Sequence, residues 1–223
     1  MQQTIAKSFK DLLSGTVLAF MAKVTAVSVA ITAIVIWFLN GILVSFVKSY
    51  LAWIPWEWLQ TSGAAVATVA VGYMLFIVVL SIVTSLMVEP LLIKLAKKHY
   101  PDKPVIASPN VTASLLLSLR SGLLFLFVFL ITFPMMFVPL VGAVWMLWLW
   151  SILLKAPTFY DVSSLFISDS SVRREKKRKT TLLAMVAAGF NYIPVLNIFA
   201  PVFAQILFLH HILGVAPKNA AQS

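Results

Sequence analysis

The sequence predicts an all-α integral membrane protein with two long transmembrane helices and two proline-tipped hairpins of short helices. Composition carries the first half of that statement. Hydrophobic residues make up 61% of the 223 positions and charged residues only 11%, with a mean hydropathy of +0.98. A water-soluble domain runs nearer half apolar and a quarter charged, and could not hide this much apolar surface. The distribution of charge carries the second half. Residues 24–47 and 58–88 form uncharged runs of 24 and 31 positions, each longer than the roughly 20 residues an apolar helix needs to cross a bilayer. The length suits a single membrane domain over residues 1–223.

The N-terminal residues 1–16 place Ile5, Phe9, Leu12 and Leu13 on one helical face, away from Lys7, Lys10 and Ser14, as in a helix lying on a membrane surface. Long helices follow over 17–47 and 63–99, the second carrying Lys94, Lys97 and Lys98 beyond the apolar run towards the Tyr100-Pro101-Asp102 turn. Small residues stripe both helices, Ala22, Ala26, Ala30 and Ala33 on the first and Ala64, Thr68 and Gly72 on the second, a pattern for close helix contact.

Two further uncharged stretches, 121–154 and 180–217, are interrupted by Pro134 and Pro139 and by Pro194 and Pro201. Proline removes a backbone donor and clashes with the preceding turn, so each pair marks a bend. Hairpins are expected over 113–155 and 180–215, with Pro134, Pro139 and Gly142 shaping the first tip and Pro194 and Pro201 the second. Arms of about 14 residues would rise about 21 Å, short of a ~30 Å hydrocarbon core. They either cross a thinned bilayer or enter and leave on one side. Non-helical backbone at depth must then be buried in protein or line a wet cavity.

Orientation follows from Lys and Arg. The basic segments near Lys7, Lys97, Lys103 and Lys218, and the run Arg173 to Lys179 within an expected basic loop at 156–179, can all lie on one side, while 48–57 carries only Lys48 against Glu57. A multi-pass protein of the bacterial inner membrane with both termini cytoplasmic satisfies the positive-inside rule, and Tyr50, Trp53, Trp56 and Trp58 form an interfacial belt on the outer side. The run RREKKRK at 173–179 therefore reads as a loop against anionic headgroups and not as a nucleic-acid site.

Chemistry-bearing residues are few. There is no cysteine, which removes thiolate metal sites and cysteine nucleophiles. His210 and His211 are adjacent and on a helix diverge by about 100°, so they cannot chelate one ion together; an interfacial pair is expected, and no metal or cofactor. No paired intramembrane acids, nucleophile elbow or phosphate loop is present, which excludes the common enzyme classes. Glu89 and Arg120 stand at the ends of apolar runs, either as interfacial charges or as functional groups. Asn191, Asn197 and Gln205 need hydrogen-bond partners near the second tip or must line a polar path.

The segment Ile193-Pro194-Val195-Leu196-Asn197-Ile198-Phe199-Ala200-Pro201, behind the basic run, resembles the signature of CysZ-like sulfate permeases and of the wider etoposide-induced membrane-protein family. Val138-Pro139-Leu140-Val141-Gly142 resembles that family's first hairpin tip, and Glu89-Pro90-Leu91 its second-span exit. The resemblance implies a homo-oligomer of two long helices plus two partly penetrating hairpins, with sulfate uptake as the activity. The expectation is thus a permease for a small solute, sulfate or a related inorganic anion. Lys23 and Arg120 would supply positive potential at its mouth, and Asn191 and Asn197 polar contacts at the second tip. The alternative is a non-transporting scaffold that only holds lipid and partners.

Overall fold

The computed structural model describes residues 2–51, 57–132, 135, 138, 140–177, 180–193 and 196–214. Trp53, Trp56, Pro134, Pro139, Pro194 and the tail from 215, about which expectations were formed above, lie outside these residues. Nine α-helices stand among the described residues: α1 (Gln2–Leu12), α2 (Gly15–Leu51), α3 (Glu57–Met87), α4 (Glu89–His99), α5 (Val111–Thr132), α6 (Val141–Phe166), α7 (Ser170–Lys176), α8 (Thr180–Ala188) and α9 (Ala200–Gly214). Two 3-10 turns, Gly189–Tyr192 and Leu196–Phe199, join α8 to α9. The long uncharged runs form helices because lipid offers no partner for free backbone groups, so every N–H and C=O must be satisfied within its own segment.

The two long helices pair with each other. On α2 the buried face is Val17, Met21, Val24, Ser28 and Thr32; Val24 packs with Ile77, Leu80 and Val83 of α3, while Val17 and Met21 join the larger core around α4 and α9. Gly72 brings the backbones close, since a Cβ there would sit 3.4 Å from Ile36 Cδ1. The alanine stripe does not take part: Ala22, Ala26, Ala30 and Ala33 are all exposed. The larger apolar side chains and the two hydroxyls take the protein-facing side, where packing and shelter from lipid reward them more. The second long helix is also not continuous. It breaks at Val88, and α3 and α4 meet at 58°, with Pro90 in the first turn of α4 where its missing donor is harmless. Leu91, Leu92, Leu95 and Ala96 bury one face of α4, while Lys97, Lys98 and His99 complement its C-terminal dipole.

The first hairpin is longer than expected. Helices α5 and α6 have 22 and 26 residues, or about 33 and 39 Å, each enough to cross a bilayer. Helix α6 does not stop near Lys155 but runs on through Pro157 to Phe166, and α7 follows, so the expected loop at 156–179 is helical for most of its length. Its tip is turned by Leu140, which caps α6 at φ 62° with its side chain 84% exposed. A branched side chain gains nothing at such an angle. Leu140→Gly is expected to stabilise the protein by about 1 kcal/mol, read as a higher thermal midpoint in detergent.

The second hairpin keeps short arms of nine and fifteen residues. Helix α9 is the centre of the molecule: Ala200 through His210 are all buried, and α1, α4, α6 and α8 pack around it. Pro201 lies in the first turn of α9, so it opens that helix rather than bending one. The two tips touch, Tyr192 Oη donating to the Ala143 carbonyl, beside the buried Gly142 in the otherwise exposed first turn of α6. By length and composition, Gly15–Phe38, Val111–Phe129, Val141–Phe166 and Leu196–Gly214 can each cross a membrane.

Candidate functional site

Three polar clusters interrupt this apolar bundle. The first lies where α1, α4 and α9 meet. Asp11, 1% exposed, accepts from His99 Nε2 at 2.9 Å, His210 Nε2 at 2.8 Å and Lys98 Nζ at 3.3 Å. Tyr100 Oη donates to His210 Nδ1 at 2.9 Å, which fixes the tautomer with its proton on Nε2. Lys7 lies over the Tyr100 ring at 4.4 Å. Burial pushes the Asp11 carboxyl up, but the donors His99, His210 and Lys98 outweigh it and hold the group below the usual aspartate range. His210 is thus buried within the protein, bonded to Asp11 and Tyr100, with the His99 ring 5.2 Å away. The donor atoms of Asp11, His99 and His210 lie within 4.8 Å of one another. Their contacts of 2.8–2.9 Å are hydrogen bonds, closer than the about 3.3 Å that separates ligands around tetrahedral zinc with 2.0 Å bonds. The cluster pins α1 to the core.

The second cluster is built on one face of α6. Asp161, 1% exposed, accepts from Ser114 Oγ of α5 at 2.6 Å, from Gln205 Nε2 of α9 at 3.0 Å, and from Ser85 Oγ of α3. Four helices therefore converge on one carboxylate. Among the described residues it makes no ion pair. Beside it a cavity of about 120 Å³ is lined by Ser81, Thr84, Ser85, Ser118, Pro157, Pro201 and Gln205 among apolar neighbours. On the other side a space of about 20 Å³ joins Ser85, Ser114 and Asp161 to Glu89, whose carboxylate accepts from Ser108 at 2.7 Å.

The adjacent face of α6 lines the third cluster. Ala156, Phe159, Tyr160 and Ser163 share a cavity of about 460 Å³ with Leu117 and with Arg173, Arg174 and Lys177, from α7 and the residue that follows it. Helix α7 starts there because Asp169 caps it, accepting from the Ser171 amide at 2.7 Å. Arg173 Nη2 donates to the Ile167 carbonyl at 2.5 Å, while its Nε is buried without a partner.

The expected site residues fare differently. Lys23 on α2 and Arg120 on α5 are exposed, and among the described residues neither forms an ion pair or hydrogen bond. Asn191 is half-buried in the first 3-10 turn. Asn197 is 4% exposed, its backbone N–H donating to the Ile193 carbonyl at 3.2 Å and its side-chain Oδ1 without a partner. These four are not brought together in one cluster with each other. Asp161 escaped the sequence reading because the uncharged run ends at Lys155 and residues 156–179 were expected to form a loop. The signal was Leu154, Thr158, Val162 and Leu165, spaced as one helical face beyond that point.

Across residues 4–201 the chain matches the model of the Sulfate transporter CysZ/Etoposide-induced protein 2.4 family. The chain belongs to this family. The match runs from α1 into the first turn of α9, so it covers α2 to α8 and the α6 face of both clusters built there, and stops short of Gln205. Comparison with curated proteins and with solved structures returned no match.

Proposed function

We propose that the protein is a cytoplasmic-membrane permease for a small inorganic anion of the sulfate kind, with its termini inside and its working form a homo-oligomer. The cavity of Arg173, Arg174 and Lys177 is the observation that supports an anion. Its guanidinium is held on the Ile167 carbonyl with a buried Nε left over, and Tyr160 and Ser163 add hydroxyls. A tetrahedral oxyanion uses such donors, since Arg offers a rigid fork and Lys a point charge. Among the described residues no acid lines that cavity. Lys23 and Arg120 add exposed positive charge along the bundle, and Asn191 and Asn197 serve the second tip. Family membership supports a membrane-transport role, and the polar spaces inside the bundle favour it over a purely structural one. A scaffold role draws on one feature, the outward alanine stripe of α2, which the permease uses for contact with another subunit.

The test is sulfate flux into liposomes carrying purified protein. Arg173→Gln with Lys177→Gln is expected to lower flux at least about tenfold, the equivalent of one charge-assisted hydrogen bond, with an unchanged elution volume on a sizing column. Wild-type flux no greater than that of protein-free liposomes would select the scaffold. Flux that survives in the double variant would assign the cations to lipid headgroups.

A further inference from the structure

The chamber of about 120 Å³ next to the Asp161 cluster is a hydrophobic space, although several hydroxyl residues stand in its wall. Ser85 turns its Oγ to Asp161 and Ser114, and Gln205 turns its NH₂ to Asp161. The oxygens of Ser81 and Thr84 and the Oε1 of Gln205 are enclosed. What faces the chamber is mainly the carbon of Val78, Ile82, Phe125, Leu153, Leu154 and Pro157. Water needs two to four polar partners, so an apolar cavity of roughly 150 Å³ stays dry and takes up an apolar molecule instead. Left empty, its lining loses dispersion contacts on one side. The chamber also has a mouth. Leu119 and Leu123 line it and are 54% and 59% exposed; both stand on α5, a helix long and apolar enough to cross a membrane. In a bilayer that exposed side meets lipid tails, so the chamber opens sideways into hydrocarbon. Gly122 keeps the mouth clear, since a Cβ there would meet only Leu153 Cδ1, at 4.0 Å.

We infer that this chamber holds the end of one acyl chain of a bilayer phospholipid, and that the lipid is anionic. The wall and the mouth select the tail. Arg120 selects the head. It follows Leu119 on the exposed side of α5, well inside the helix, and among the described residues it forms no ion pair. A guanidinium at membrane depth pairs or snorkels to the interface on its long stem. There the headgroup layer offers it phosphate, which an arginine fork grips well. One lipid satisfies both features, because Arg120 and the mouth residues Leu119 and Leu123 share the exposed side of one helix. A second copy of this chain would cover the mouth but is poorly suited to Arg120, having 17 Lys and Arg against only 7 Asp and Glu. The site rests on the membrane location of the bundle and not on the permease reading.

Binding is tested without transport, on full-length protein in liposomes of phosphatidylcholine and phosphatidylglycerol. A trace of one or the other lipid carries a diazirine near the end of one acyl chain, and adducts formed on irradiation are mapped by mass spectrometry. Adducts are expected on Leu153 and Leu154 of the chamber, 6% and 4% exposed. They should exceed those on the buried Leu183 and Phe208 at least about tenfold, the equivalent of about 1.4 kcal/mol of preference for the chamber. The phosphatidylglycerol probe should give more of them than the phosphatidylcholine probe. Gly122→Leu plugs the mouth and should remove the chamber adducts while sparing those on exposed Leu116, which any surrounding lipid reaches. Arg120→Gln changes an exposed residue, so it remains informative should the glycine variant fail to fold; it should bring the two probes to equal yield. Adducts confined to exposed residues such as Leu116 and Leu124 would overturn the site, and equal yields in the wild type would overturn the anionic head. The chain has no cysteine, so copies of Leu123→Cys that cross-link to each other would place a second copy over the mouth, which also defeats the proposal.

Discussion

Asp11→Ala is expected to lower stability by about 3 kcal/mol and to free α1 from the bundle. Two imidazoles lose their shared acceptor, and charge-assisted bonds contribute roughly 1.5 kcal/mol or more each. His210 is 1% exposed, so water cannot replace its partner. Asp11→Asn keeps one acceptor oxygen and should lose about half as much. The effect also depends on pH. The Asp11 carboxyl is held below the ordinary value of 3.8 by His99, His210 and Lys98 against the opposing effect of burial. A lowered carboxyl contributes stability that is present above the ordinary value and is lost as pH falls through the folded one. The wild type should therefore lose this contribution only below about pH 4, and the alanine variant should show no such step. Thermal midpoints from pH 3 to 7, with limited proteolysis between α1 and α2, provide the check; a variant that melts like the wild type and resists cleavage would refute the pinning role.

The second large effect is at Phe203. This residue is fully buried on α9, its ring centroid 5.0 Å from that of Phe9 on α1 and 4.7 Å from that of Phe190 beside the second tip. Truncating it to alanine removes packing against both rings and leaves a cavity, which costs about 3–5 kcal/mol. Phe127→Ala is the matched control. That ring is 64% exposed on a membrane-crossing helix and meets lipid in the folded and the unfolded-in-membrane states alike. Lipid is as apolar as the protein interior, so burial within the bundle gains from packing rather than from leaving water. The control should change stability by less than about 0.5 kcal/mol. Denaturation in mild detergent mixtures separates the two; equal losses would mean that α9 is not the packing centre.

The family could be read before any coordinates because its marks are local. Charge-free runs set by bilayer thickness, Glu89-Pro90-Leu91 at the second-span exit and the Pro-Val-Leu-Asn tip are short-range features, and the comparison over residues 4–201 agrees with them. Helix ends were less legible. The first hairpin was bounded at 155, where the uncharged run ends, yet α6 continues through Pro157, since neighbouring helices can enclose the backbone group that proline frees. The alanine stripe of α2 had the right spacing for contact but the wrong direction, because spacing says that residues share a face and not what the face meets.

By its own composition and charge pattern, this sequence determined an all-α membrane chain with two long helices and two hairpins. Solvent is the reason: apolar runs and basic segments partition between lipid and water one residue at a time. Only the tertiary structure decided the sites. Asp11 meets His210 across 199 positions, and Asp161 gathers Ser85, Ser114 and Gln205 from three other helices. Lone polar residues in an apolar chain must find one another to offset desolvation. Which ones meet depends on the angles and depths at which whole helices pack, and that is a property of no single segment.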